Sequence, residues 1–181
     1  MNLENKNIGF IITGAFKSIN CSIDEIENVS KIKNVHIYPI MSYTVFNGIS
    51  KDKVIRIKEI TRNRIIHNME KINLDIGVIV PCTGNTLAKL ANNIIDTPAL
   101  YIANYILTSN KPLVIGISSF NEISSSFINI GKLMSRKNIY FIPFRQTNPI
   151  TRPNYIMFDS KLIIKTLNSS LEGVQIEPIL M

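Results

Sequence analysis

DIGVIVPCTGNTLAK, residues 75–89, is the stretch that decides the architecture. Its first part, Asp75–Pro81, is an apolar, β-branched run without polar alternation, the pattern of a strand buried on both faces. Pro81 has no N–H to give a sheet ladder and closes the run. A small polar loop follows, and from Asn85 to about Ile95 the apolar spacing is helical, with Thr83 or Asn85 as the expected N-cap. A buried strand that passes through a polar loop directly into a helix is half of a βαβ unit.

Working outward, the same alternation recurs. Upstream, Asn7–Ile12 is a buried strand that ends in Thr13-Gly14. Ser22, with Glu25 three residues on, has the capping-box pattern and opens a helix carrying Ile23, Ile26, Val29 and Ile32. Val35–Met41 is the next strand, and Lys51–Ile72 is a long helix by its spacing of Val54, Ile57, Ile60, Ile65 and Met69. Downstream, Thr97-Pro98 opens a helix with proline in its first turn. Lys111–Ser118 is a fourth strand, a Ser-rich loop and helix run to about Arg136, Asn138–Phe144 is a fifth strand, and Asp159–Leu171 is a final helix. Five strands alternating with helices predict an α/β fold: a doubly wound parallel sheet in a three-layer αβα arrangement, Rossmann-like or flavodoxin-like, as a single domain over residues 1–181.

Composition agrees. Of 181 residues, 45% are apolar and 18% charged, which excludes a disordered chain. Two cysteines make no disulfide framework, and Cys21 and Cys82 have no partner at metal-ligand spacing, so no metal site is expected. The absence of an 18-residue apolar run and of a signal-peptide pattern predicts a soluble cytoplasmic protein with no membrane partner. The formal charge is +7, and between Thr97 and Asp159 the acid is Glu122 alone, against Lys111, Lys132, Arg136, Lys137, Arg145 and Arg152. This half of the chain attracts small anions, or is simply solvated. The bases form no stripe interleaved with aromatics, so no nucleic-acid partner is expected.

Ligands of doubly wound sheets sit beyond the carboxyl ends of the strands. Those ends read Thr13-Gly14-Ala15, Ser42-Tyr43-Thr44, Pro81–Thr86, Ser118–Asn121 and Phe144-Arg145-Gln146. They are rich in hydroxyls, amides and glycine and almost free of acids. Free N–H groups beside Gly14, with the Thr13 and Ser18 hydroxyls, suit a phosphate. An ordinary strand-to-helix turn uses the same residues. Neither GxGxxG nor GK[ST] occurs, so a dinucleotide of its own is not expected on this chain.

Pro81-Cys82-Thr83-Gly84-Asn85-Thr86 with Ala88-Lys89, preceded by Thr13-Gly14 and followed by Ser118-Ser119-Phe120-Asn121, resembles the flavoprotein family that contains the flavin-dependent cysteine decarboxylases. Further stretches are similar to one branch of it in spore-forming bacteria, the flavoprotein-like subunits of two-subunit synthases that make pyridine-2,6-dicarboxylate. These are Lys89–Asn92, Asp96–Pro98, Asn110–Ser118, Leu133–Phe144, Gln146 with Pro149, Pro153-Asn154 and Pro178–Leu180. The resemblance implies oxidation of dihydrodipicolinate, with NAD(P) carried by a partner subunit, in the mother cell during sporulation. It implies FMN as cofactor and a homo-oligomer, trimeric or larger. It places Thr13, Gly14, Ala15, Ser42, Thr44, Thr83, Gly84, Asn85, Thr86 and Ser118 around the cofactor, and Asn121 and Arg145 on the dicarboxylate. The decarboxylases' base falls near His67, the one acid–base candidate in reach of the site. Departures are equally definite: Phe120-Asn121 replaces the family's Met-Asn pair, and no cysteine matches the one near its C-terminal flap. Decarboxylation of a peptidyl cysteine is therefore not expected. The alternatives are a stand-alone FMN-dependent decarboxylase and a non-catalytic scaffold subunit.

Overall fold

The computed structural model describes residues 3–119 and 123–181. Five strands run parallel in the spatial order β2, β1, β3, β4, β5: β1 (Asn7–Ile12), β2 (His36–Met41), β3 (Ile76–Cys82), β4 (Leu113–Ser119) and β5 (Ile139–Phe141). This is the flavodoxin-like order, with its switch point between β1 and β3. Among the helices, α1 (Ile19–Ser30) and α3 (Lys51–Thr61) pack on one face with the C-terminal α7 (Ile163–Leu171). The opposite face is covered by α4 (Gly84–Ala91), α5 (Pro98–Thr108) and α6 (Ile123–Met134). β3 and β4 are buried at every position, as the unbroken apolar runs require. Gly9 and Gly77 face each other across β1 and β3. A Cβ on Gly77 would stand 2.4 Å from Ile106 Cδ1, so the paired glycines let α5 sit close on the sheet.

Four sequence expectations are revised. α1 begins at Ile19, so Ser22 is no cap: it is buried inside the helix and its hydroxyl donates to the Ser18 carbonyl at 3.2 Å. The helix expected over Lys51–Ile72 stops at Thr61, because Arg62 adopts φ 54° and Asn63 donates its side-chain amide to Ile37 O at 2.8 Å. The chain then lies along the outer edge of β2, where Ile66 accepts from Met41 N–H and donates to Pro39 O, each at 2.8 Å. Sheet pairing there outweighs helical periodicity. Helix α4 ends at Ala91 rather than Ile95. Finally, Asn138–Phe144 is not one strand. β5 ends at Phe141, and after Pro143 an antiparallel hairpin begins, β6 (Phe144–Asn148) and β7 (Arg152–Phe158). β7 pairs with the upper end of β4 through Ser118↔Met157 and Ser119↔Ile156, so β4 carries β5 on its lower half and the hairpin on its upper half. The C-terminal segment adds a parallel bridge, Phe144↔Leu180.

Candidate functional site

Neighbouring strand ends are tied to one another by hydrogen bonds. Thr13, just past β1, is buried, and its hydroxyl donates to Pro81 O at 2.7 Å and accepts from Thr83 N–H at 3.1 Å. It therefore ties β1 to β3 at the switch point, and both of its roles in hydrogen bonding are filled from within. Thr83 is the N-cap of α4: its hydroxyl accepts from Thr86 N–H at 3.2 Å and shares a 2.9 Å hydrogen bond with the Thr86 hydroxyl. The first turn of a helix leaves its leading N–H groups without intrahelical acceptors, here those of Gly84 and Asn85. Asn85 is exposed and Gly84 buried.

On the other side, Ser42 N–H donates to Ile12 O at 3.1 Å, which holds the end of β2 against β1. The Ser42 hydroxyl is buried and, among the described residues, is the one buried side-chain oxygen with no partner. A short helix α2 (Tyr43–Gly48) follows, which periodicity alone does not mark. Its Thr44 is exposed and adjoins Gly14, whose Cβ would lie 3.4 Å from Thr44 Cγ2. Ala15 is half-buried and donates its N–H to Thr13 O at 2.8 Å in a tight turn. α2 is braced twice: the Phe16 ring lies on Gly48, and Phe46 stacks on His67 with ring centroids 3.7 Å apart and planes 7° from parallel. His67 thus lies in the strand-edge segment rather than in a helix, with Nδ1 3.4 Å from Ile65 O.

Ser118, at the top of β4, is buried and shares a 3.0 Å hydrogen bond with Ser18. Residues opposite one another in an antiparallel pair project to one face. Ser118, Met157 and Arg145 stand in such a row across β4, β7 and β6, so Arg145 projects on the side where Ser18 meets the sheet. Arg145 is exposed, and Arg152 lies at the far end of the hairpin opposite Asn148. The hairpin was legible only in Asn148-Pro149, a turn pair between two short runs. Asn121 lies outside the described residues.

The rim therefore carries hydroxyls, an amide, helix N–H groups and a guanidinium. Cys82 is fully buried beside it, and burial pushes its thiol far above the usual range, so it stands as a neutral packing group. The orphaned Ser42 hydroxyl suits a phosphate or ribityl oxygen, since a buried hydroxyl without a partner is costly until something bonds to it. No metal-binding group of three or more His, Cys, Asp or Glu occurs among the described residues. No helix among them is long and apolar enough to cross a membrane.

A flavodoxin-like sheet whose described rim residues offer hydroxyls and amides at the switch point is an architecture that flavin-binding α/β proteins use. The chain belongs to the flavoprotein family, whose model matches residues 1–151. Over 190 residues it is 33% identical to the B subunit of dipicolinate synthase from Bacillus subtilis (strain 168), covering 99% of this chain and 95% of that one. The crystal structure of the dipicolinate synthase B subunit from Bacillus halodurans superposes with a TM-score of 0.91 at 34% identity, covering 100% of this chain and 98% of that one. The cypemycin decarboxylase CypD shares the fold, with a TM-score of 0.72 at 14% identity over 95% of this chain and 97% of that one.

Proposed function

We propose that this chain is the flavoprotein-like B subunit of a dipicolinate synthase. It acts with the A subunit, which carries NAD(P), to oxidise dihydrodipicolinate to dipicolinate in the mother-cell cytoplasm during sporulation. The observation that carries this reading is kinship with B subunits along the entire chain, joined to an exposed Arg145 at the hairpin beside the rim, a cation that suits a dicarboxylate. In the reaction the substrate ring loses a hydride to NAD(P)⁺ and a proton to a base, and becomes aromatic.

The chain's own residues divide into two groups. Ser42, Thr44, Asn85 and the N–H groups of Gly84 and Asn85 hold the phosphate and ribityl chain of FMN, while Gly14 and Ala15 leave it room. Thr13, Thr83, Thr86 and Ser118 shape that hollow through the bonds they make to one another and to Ser18. Bound FMN would supply two-electron redox chemistry at the rim. Arg145 binds one substrate carboxylate as a bidentate fork, and Asn121 is a second substrate contact by the family resemblance alone. His67, its ring fixed by Phe46, is the proton-accepting candidate. The assembly is a homo-oligomer, trimeric or larger, docked on the A subunit.

The scaffold reading has one observation in its favour: the Thr13 and Ser118 hydroxyls are buried and already bonded within the protein. Two experiments decide. FMN titrated into the purified protein should stay bound through gel filtration; a protein that takes up none loses the cofactor assignment. The A subunit mixed with Asn85→Ala should still form the complex but oxidise substrate far more slowly than with the unaltered chain. Full activity of the isolated A subunit would leave this chain a scaffold.

A further inference from the structure

Phe141 is the last residue of β5, a strand paired with β4 on one side and with no strand on the other among the described residues. Its N–H and C=O both point to that open edge, and Gln175 takes both. Gln175 Oε1 accepts from Phe141 N–H at 2.7 Å, and Nε2 donates to Phe141 O at 2.8 Å and to Ile176 O at 2.9 Å. A side-chain amide carries the same donor and acceptor as a peptide group, so Gln175 stands in for a residue of a missing strand. Three residues along, the tail does this again with its main chain. Phe144 N–H donates to Ile179 O at 2.9 Å, and Met181 N–H donates to Phe144 O at 3.1 Å.

Between these two clamps lies Ile142-Pro143, where the chain leaves the parallel layer and enters the hairpin. The returning strand is tied at the same place, because Asp159 N–H donates to Pro143 O at 2.9 Å. Phe141, Ile142 and Phe144 are buried there, and Ile176 of the tail with them. Beyond the clamps the outer half of the hairpin has little hold on the body: residues 145–154 are all exposed and Ile150 at the tip is 90% exposed, while the base of β7 is anchored by buried Tyr155, Ile156 and Phe158 and by two residue pairs with β4. The position of β6, which carries Arg145, is therefore set by β7 on β4 and by the root, and the root is closed by the tail.

We propose that residues 173–181 are a strap that fixes the hairpin in place, with Gln175 as a positioning residue for Arg145, acting through Phe141. The strap itself is independent of the ligand; only its consequence for substrate rests on the proposed function. Hydrogen exchange of the full chain, read by mass spectrometry, tests it. In Gln175→Leu, which removes both polar atoms, peptides covering residues 144–158 should exchange about thirtyfold faster, because both hydrogen bonds to Phe141 are lost together. Peptides of β1 and β3 should keep their rates. A variant lacking residues 179–181 retains Gln175 and should loosen the same hairpin peptides, which covers the case in which Gln175→Leu fails to fold. Unchanged hairpin exchange, or equal acceleration throughout the protein, overturns the strap. Pyridine-2,6-dicarboxylate binding, measured by calorimetry on the same proteins, separates the two ideas. A loosened hairpin with unaltered affinity refutes the Arg145 assignment and leaves the strap standing.

Discussion

Two hydroxyls at neighbouring strand ends should respond to removal with opposite signs. The Ser42 oxygen is buried without a partner, whereas the Thr13 oxygen, one strand away, makes two hydrogen bonds. A buried hydroxyl with no partner costs roughly 1–3 kcal/mol, so Ser42→Ala removes a penalty and loses few contacts. We expect the ligand-free variant to be more stable by about 1 kcal/mol, which for a chain of this size raises Tm by about 2–4 °C. Thr13→Val keeps the shape but strands Thr83 N–H and weakens the hold on Pro81 O. It should lose about 2 kcal/mol, and Tm should fall by about 4–8 °C. FMN reverses the order for Ser42. A hydrogen bond to a charged group contributes about 1.5–3 kcal/mol, so Ser42→Ala should bind FMN about 10–100-fold more weakly. Guanidinium unfolding of the ligand-free proteins and a flavin fluorescence titration read the two quantities separately. If Ser42→Ala is destabilised like Thr13→Val, or binds FMN as well as the parent, the assignment of that hydroxyl to a ligand is wrong.

Three further outcomes follow from the same geometry. Thr83→Ala removes the N-cap of α4 and should cost about 1 kcal/mol in chemical unfolding, with a further loss of FMN affinity because the helix start moves; stability equal to the parent would show that the cap is idle. Arg145→Ala should weaken pyridine-2,6-dicarboxylate binding by about tenfold or more without moving Tm, since the residue is exposed, and Arg145→Lys should recover only part of that affinity. Burial raises the Cys21 thiol pKa, outweighing the Ser160 hydrogen bond, and raises that of Cys82 much further. A raised pKa leaves less thiolate at a given pH, so iodoacetamide should modify Cys21 more slowly than free cysteine at pH 8 and faster as pH rises; Cys82 should react only on unfolding, and rapid native labelling of Cys82 would contradict its burial.

The alternation of buried strands and helices could be read directly, because it is written in local residue pattern: the short β-branched runs within Asp75–Pro81 and Lys111–Ser118 form the buried strands β3 and β4. Local pattern misled over Lys51–Ile72. There Ile65 and Ile66 are buried in extended chain, and nothing local distinguishes a helical stripe from residues that will dock on the edge of β2. The rim was legible as a set of residue types, since the carboxyl-end rule converts strand order into a list. Which members face a ligand and which brace the fold was not. Thr13 and Ser42 are alike in sequence terms, and their difference arises from the Pro81 carbonyl and Thr83 N–H, which lie some seventy residues away from Thr13.

The hairpin and its strap belong wholly to tertiary structure. Phe144-Arg145-Gln146 continues a strand-like run, and only the filling of β4's upper half by β7, with Gln175 closing the edge of β5, turns it out of the parallel layer. Sequence alone determined the layers, the direction of the sheet and the chemistry at its rim, because burial periodicity and residue type are local properties. The partner of each polar atom, and the place where the sheet divides, were decided by folding, because hydrogen bonds join groups that the chain itself keeps far apart.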